Sequence, residues 1–513
     1  IKGKAAVYLS VLPKGQDKMI AAADNYKIDS SKYTAPEYGY AGLKYNKAKD
    51  NFDRSKIPGN GANPVVKVPK FWRKDLPNGV KMIGTESNEI PTVTITIKIP
   101  GGHLLQGKDT SKIGLASMFA SMMNEDTKNY SAEQMTVELQ KLGSNVSVSS
   151  SVDGITFSVQ CLKKNLAATL AMVEERMLNP KFTEAAFSRM QKQRVEGFKQ
   201  LKADPAAVAD LVFAKINYGP NNILAMNEDG TEYTIRNLKL QDVQDYYNNY
   251  MTSQGVKVVV VGDVKQEEVL PKLSFLDKLP KKKIELPAAN GGASSIDKTK
   301  VFMVDIPKAA QSQFRVGYAT GQKYDATGNY YRSMLLNYPL GGDFNSRLNL
   351  NLREDKGWTY GARSGFSADE YSGDFSFSSG IRADATDSAL VEVMKELSNY
   401  RDNGITEAEL KFMKNSLGQR DARSYETGFQ KANFIRRILD YNLPANYIDQ
   451  QNKILANLTK KEVDAFAKKM LAPEKMNILL VGDKAKILDG IKKLGYEIVE
   501  LDVDGKKVEK KGF

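Results

Sequence analysis

The chain has 513 residues, of which 41% are hydrophobic and 26% charged, and carries a formal net charge of +13. So long a chain outgrows one hydrophobic core and implies roughly two to four domains, and its composition is that of a globular protein in water, which excludes a disordered or fibrous one. Its 74 Lys and Arg are interspersed with 61 acidic residues, with no zinc finger, RNA-binding signature or basic helix, so the basic surplus reads as solubility and no nucleic-acid partner is expected.

The first ten residues, Ile1–Ser10, lack the apolar core and small-residue cleavage site of a signal peptide. Residues 1–15 read instead as the closing strand of a preceding unit, a strand that needs neighbours to pair with and so implies a longer precursor. Residues 16–78, rich in Tyr, Asn, Lys, Gly and Pro with turn signals at Pro58–Gly61 and Asn63–Pro64, read as an extended linker.

A first folded unit is expected over 79–275. In Pro91–Ile99 the residues Val93, Ile95, Ile97 and Ile99 alternate with polar ones, a strand with one buried and one wet face. A helix follows from about Ser111 through Met123, with Leu115, Met118, Phe119 and Met122 on one face. Ser131–Gln134 is a capping box that opens a second helix, and Gly143 ends it. Two strands, Val146–Val152 and Ile155–Leu162, turn at Asp153-Gly154, a hairpin signal. Cys161 falls on the second as a buried strand thiol; as the only cysteine it rules out an internal disulfide and a thiolate cluster. Three helical stretches, Asn165–Leu178, Thr183–Lys202 and Asp204–Asn217, lead to the apolar strand Val258–Val261, far short of the ~20 residues of a membrane span.

A linker over 276–298 precedes a second unit over 299–513, and the two units are copies. Leu238 through Asp263 and Leu458 through Asp483 each run from a helix with a polar first turn to an apolar strand ending Val-Gly-Asp, with the same spacing from Leu238 to Gly262 as from Leu458 to Gly482. Upstream, Thr183–Phe187 matches Thr406–Leu410, each opening a long helix. The expected fold class is α+β: two tandem homologous units, each a largely antiparallel sheet covered by helices.

Two motifs invite chemistry and fail it. Gly102–Lys108 nearly spells a phosphate-binding P-loop, but Asp109 stands where a hydroxyl is required, and a carboxylate there repels phosphate. His103 is the only histidine, too few for a common catalytic zinc site, and reads as a loop residue.

The segment Gly114-Leu-Ala-Ser-Met-Phe-Ala-Ser-Met-Met-Asn-Glu-Asp-Thr127 resembles the signature helix of the pitrilysin/insulinase family, an inverted zincin with the pattern Gly-Leu-Ala-His-x-x-Glu-His-Met. In that family the two histidines bind zinc and the glutamate activates water. Here those positions read Ser117, Ala120 and Ser121, and the register of the third ligand, a glutamate, falls at Gly197. In the second unit, Leu340–Leu348 and Leu352–Gly361 resemble the family's Gly-Gly-x-x-x-Ser-Arg-Leu…Leu-Arg-Glu-x-x-Gly-x-x-Tyr. The resemblance implies that Arg353 and Tyr360 lie opposite the zinc and hold the substrate backbone, with the tyrosine near the oxyanion. From the residues alone, the favoured readings are a salt bridge of Arg353 with Glu354 or Asp355 and a strand aromatic at Tyr360 beside Trp358; the family register reverses that preference.

Family members comprise four such units in two halves that close like a clamshell around unfolded peptide. The resemblance therefore implies the C-terminal, non-zinc half of a zinc endopeptidase. This chain is expected to bind no cofactor and to be inactive alone. Zinc is expected in a complementary homologous half, in the same precursor or on a heterodimer partner, with peptides as substrates and the bacterial periplasm as compartment. The alternative is a non-enzymatic scaffold or peptide-binding subunit of the same fold.

Overall fold

The structure, a computed structural model, describes residues 9–12, 15, 18, 31, 33–46, 48–56, 59, 61, 68–421 and 424–509. Residues 1–62 and 63–513 form two compact units. In the first, the described residues include no strand or α-helix. Of the closing strand expected over 1–15, Leu9 and Val11 are exposed and belong to no strand among the described residues, and residues 1–8, 13 and 14 lie outside them.

The larger unit is built on two six-stranded sheets. The first contains β1 (Trp72–Asp75), β2 (Lys81–Glu86), β3 (Thr92–Pro100), β4 (Asn145–Ser150), β5 (Gly154–Leu162) and β6 (Lys257–Gly262) in the order β1-β2-β6-β3-β5-β4. The second contains β7 (Lys300–Asp305), β8 (Gln311–Ala319), β9 (Ala362–Ala368), β10 (Gly373–Arg382), β11 (Asn477–Gly482) and β12 (Glu497–Leu501) in the order β12-β7-β11-β8-β10-β9. In each, the Val-Gly-Asp strand lies between a parallel neighbour (β2 beside β6, β7 beside β11) and an antiparallel one (β3, β8), and a hairpin completes the sheet. Five strands thus repeat in register, and the α+β expectation of two tandem sheets covered by helices holds. The outermost strand differs: β1 precedes its sheet and pairs antiparallel, whereas β12 follows its sheet and pairs parallel. Strand β1 lies inside the stretch expected to be linker; its four residues, Trp-Arg-Lys-Asp, show no apolar alternation, and pairing with β2 is what makes them a strand.

Gly262 explains the repeated glycine in the first copy. Its φ is +143°, and a Cβ there would run into the Thr92 carbonyl of β3. Strand β3 buries Val93, Ile95, Ile97 and Ile99 against its own helices, as the alternation requires. Those helices are α1 (Leu115–Met122), α2 (Ala132–Lys141), α3 (Leu166–Leu178), α4 (Glu184–Ala203) and α5 (Pro205–Tyr218). The capping box at Ser131 and Gln134 is present. The first helix begins later than expected because Gly114, at φ +95°, breaks it from the short turn over Thr110–Lys112.

Each sheet's opposite face is covered by the other repeat. Val208, Ala209, Val212 and Phe213 of α5 pack with Val304, Leu479 and Val481 of the second sheet. Reciprocally, Phe434, Ile435 and Ile438 of the helix Gly428–Asp440 pack with Ile83, Val259 and Val261 of the first. The two repeats interlock through exchanged helices.

Candidate functional site

The positions that the resemblance aligns with the family's metal site lie on α1 (Ser117, Ala120 and Ser121) and α4 (Gly197). Gly114 lets the loop at Asp229 approach the start of α1, since a Cβ there would meet the Asp229 carbonyl at 2.7 Å. Asp229 then accepts a hydrogen bond from Ser117 Oγ at 2.5 Å. Ser121 Oγ donates to the Ser117 carbonyl at 3.0 Å, and Ala120 is buried. Gly197 lies on α4 and leaves open space where a side chain would stand. One turn before it, Arg194 reaches between the helices: Nη2 donates to Ser121 Oγ at 2.8 Å and to the Ser117 carbonyl at 3.0 Å, and Nη1 lies 3.1 Å from Asp229 Oδ1. The residues here do not fit a zinc ion: two hydroxyls and a glycine stand at the three ligand positions, a methyl stands where the water-activating glutamate would be, and a guanidinium already bonds to both serines. Among the described residues no group of three or more His, Cys, Asp or Glu could hold a metal. Reading the motif missed Arg194; its i, i+3 relation to Gly197 on the same helix face is the signal that could have found it.

The Arg/Tyr segment of the second repeat is built differently. Leu340, Leu348 and Leu352 anchor it in the core, and a Cβ on Gly341 would strike the Ser364 backbone of β9, so the Gly-Gly pair serves close packing. Arg347 forms a two-pronged ion pair with Glu409 (2.6 and 2.7 Å) and stacks over Tyr400, which makes it structural. Arg353 meets Glu354 at 3.2 Å with its side chain 38% exposed, and its guanidinium lies over the Phe344 ring at 4.5 Å. An exposed pair of this kind contributes only ~0.2–1 kcal/mol and does not hold Arg353 strongly. Tyr360 is 89% exposed, so packing beside Trp358 is not its role.

The loop residue expected at His103 is an enclosed one. It is buried in a short turn, His103–Lys108, and its Nε2–H donates to the Ile223 carbonyl at 2.9 Å. Asp109 accepts from the Ser111 amide and hydroxyl, closing a local turn where a P-loop would cradle phosphate. A groove of about 760 Å³ lies beside the helix Gly428–Asp440, on the face of the first sheet that this helix partly covers. Thr94, Thr96, Thr156 and Ser158 are among its lining residues, as are the exposed Ile90 and Phe429.

Comparison with known proteins agrees with this architecture. Residues 82–219 match the family described as insulinase (peptidase family M16), and residues 237–417 match the peptidase M16 inactive domain. The non-peptidase homolog YmxG of Helicobacter pylori is 24% identical over 414 residues, covering 79% of this chain and 93% of that protein. The uncharacterized zinc protease YmxG of Bacillus subtilis is 22% identical over 342 residues, covering 66% of this chain and 81% of that protein. The crystal structure of a peptidase M16 inactive domain from Pseudomonas fluorescens superposes with a TM-score of 0.72 at 23% identity, over 80% of this chain and 98% of that one. Two tandem repeats, a signature helix without its ligands and the family matches across both repeats lead to one assignment: the chain belongs to peptidase family M16, the insulinase family.

Proposed function

We propose that this chain is the substrate-binding, non-catalytic half of a zinc endopeptidase that cleaves unfolded peptides in a closed chamber. A homologous half, in the same precursor or on a partner chain, supplies the zinc. The observation that carries the reading is the accessible pair on the second repeat: Tyr360 stands 89% exposed, and among the described residues Arg353 is held by an exposed neighbour and a ring. Peptide hydrolysis develops negative charge on the scissile carbonyl oxygen. A positioned guanidinium and phenol stabilise that charge, one such donor lowering the barrier by roughly 3–4 kcal/mol. The bacterial periplasm is the proposed compartment.

The test reconstitutes the enzyme from this chain and a zinc-bearing homologous half. Arg353→Ala and Tyr360→Phe should each lower turnover by more than about tenfold, within the loss expected for one oxyanion donor; unchanged kinetics reject the role. The purified chain alone should show neither stoichiometric zinc nor peptidase activity. A second reading, a non-enzymatic scaffold or peptide-binding subunit, is favoured by the description of the Helicobacter pylori relative as a non-peptidase homolog. Peptide binding without turnover in every pairing with a zinc-bearing half would select it.

A further inference from the structure

The contacts of Arg194 form a closed set. Its guanidinium bridges α1, through the Ser117 carbonyl and Ser121 Oγ, to Asp229 in the turn that Gly230 closes at φ +92°. Asp229 is held in turn by Ser117 Oγ. A second arginine of α4, Arg189, meets Glu125 just beyond the end of α1 at 2.7 Å. The Arg194 side chain is 17% exposed and that of Asp229 63%, so the guanidinium is shielded on its α1 side and open to solvent on its loop side.

We propose that Arg194 acts as an internal surrogate cation. It occupies the place between α1 and α4 that a divalent metal would take, joins the same elements, and excludes a metal from that place. Two physical points support this. A metal draws together carboxylate and imidazole lone pairs. A guanidinium offers five N–H donors in a plane and so matches acceptors, here one carbonyl, one hydroxyl and one carboxylate. A fixed positive charge also repels a second cation brought to the same few ångströms, and least screening applies where solvent is excluded. Loss of the ligands at Ser117, Ser121 and Gly197 and gain of Arg194 are then one coupled substitution, and restoring the ligands alone does not restore a metal site.

Two experiments on the full chain decide it. In a double-mutant cycle, Arg194→Met and Asp229→Asn should each lower the melting temperature by ~1–2 °C, and the double variant should fall no further than the worse single one. Additive losses, or no loss, overturn the structural role. In the second, Ser117→His, Ser121→His and Gly197→Glu are combined, once with Arg194 kept and once with Arg194→Gln, and zinc binding is titrated by calorimetry. The open space at Gly197 accommodates the new carboxylate. Zinc should bind at least about tenfold more tightly once Arg194 is removed, as expected when a like charge leaves a shared site. Equal affinity with Arg194 kept, or binding in neither variant, overturns the exclusion. Circular dichroism of each variant separates loss of fold from loss of binding.

Discussion

His103 shows how much one buried group can report. Its Nε2–H is used by the Ile223 carbonyl, and its Nδ1 has no hydrogen-bond partner among the described residues, so a proton added there would bring an unsatisfied charge into the core. Burial accordingly holds its pKa below the ordinary 6.5, only partly offset by the Ile223 hydrogen bond and the Asp229 charge. The sign follows by linkage. The unfolded chain takes up the proton more readily, so this group's contribution is complete above pH 6.5 and is lost as pH falls from there through the folded pKa. As the only histidine, it can be isolated by one substitution. Melting temperature should drop more between pH 7.5 and 5.5 in the native chain than in His103→Asn, and parallel drops would exclude the effect. Asp374 and Glu228, whose pKa values burial raises, act in the opposite direction but are common to both proteins. The proposed Arg353/Tyr360 pair rests on a local motif, whereas Arg194 and the burial of His103 depend on partners far along the chain, at Asp229 and Ile223.

At the scale of elements, the repeat exchanges its helices. The α5 helix and the helix Gly428–Asp440 each present an apolar stripe to the sheet of the other repeat. Ile435 is fully buried against Ile83, Val259 and Val261. Ile435→Ala should therefore destabilise the chain by about 2–5 kcal/mol, the range for truncating a buried aliphatic side chain. Because the contact joins the two repeats, calorimetry should show the whole transition moving, not one of two; a split into two transitions with only one shifted would contradict the exchange. The sequence reading placed a helix over Asp204–Asn217 and none over 428–440, and apolar periodicity marks only that a helix has one apolar face. It carries no information about which sheet that face meets, because both sheets offer the same Val, Ile and Leu surface.

For the molecule as a whole, the linker is pinned at several points rather than free. Thr252 Oγ1 donates to the carbonyls of Pro280 and Lys282, Asn222 donates to the Asn290 carbonyl, and Ser294 Oγ donates to the Asn217 carbonyl. The exposed Lys281–Lys283 run offers a natural site for trypsin. Cleavage there should leave two fragments that co-elute on gel filtration, because the exchanged helices still hold them; separation without denaturant would show that the linker, not the packing, joins the repeats.

The amino-acid sequence by itself determined the duplication, the alternation of β3, the capping box at Ser131 and the family motifs, because each is a local pattern that one stretch of chain satisfies alone. The tertiary structure decided the pairing of β1, the exchange of helices and the placing of Arg194 between Ser117, Ser121 and Asp229. Those depend on which distant residue arrives opposite a given side chain, and that is set by burying both repeats at once.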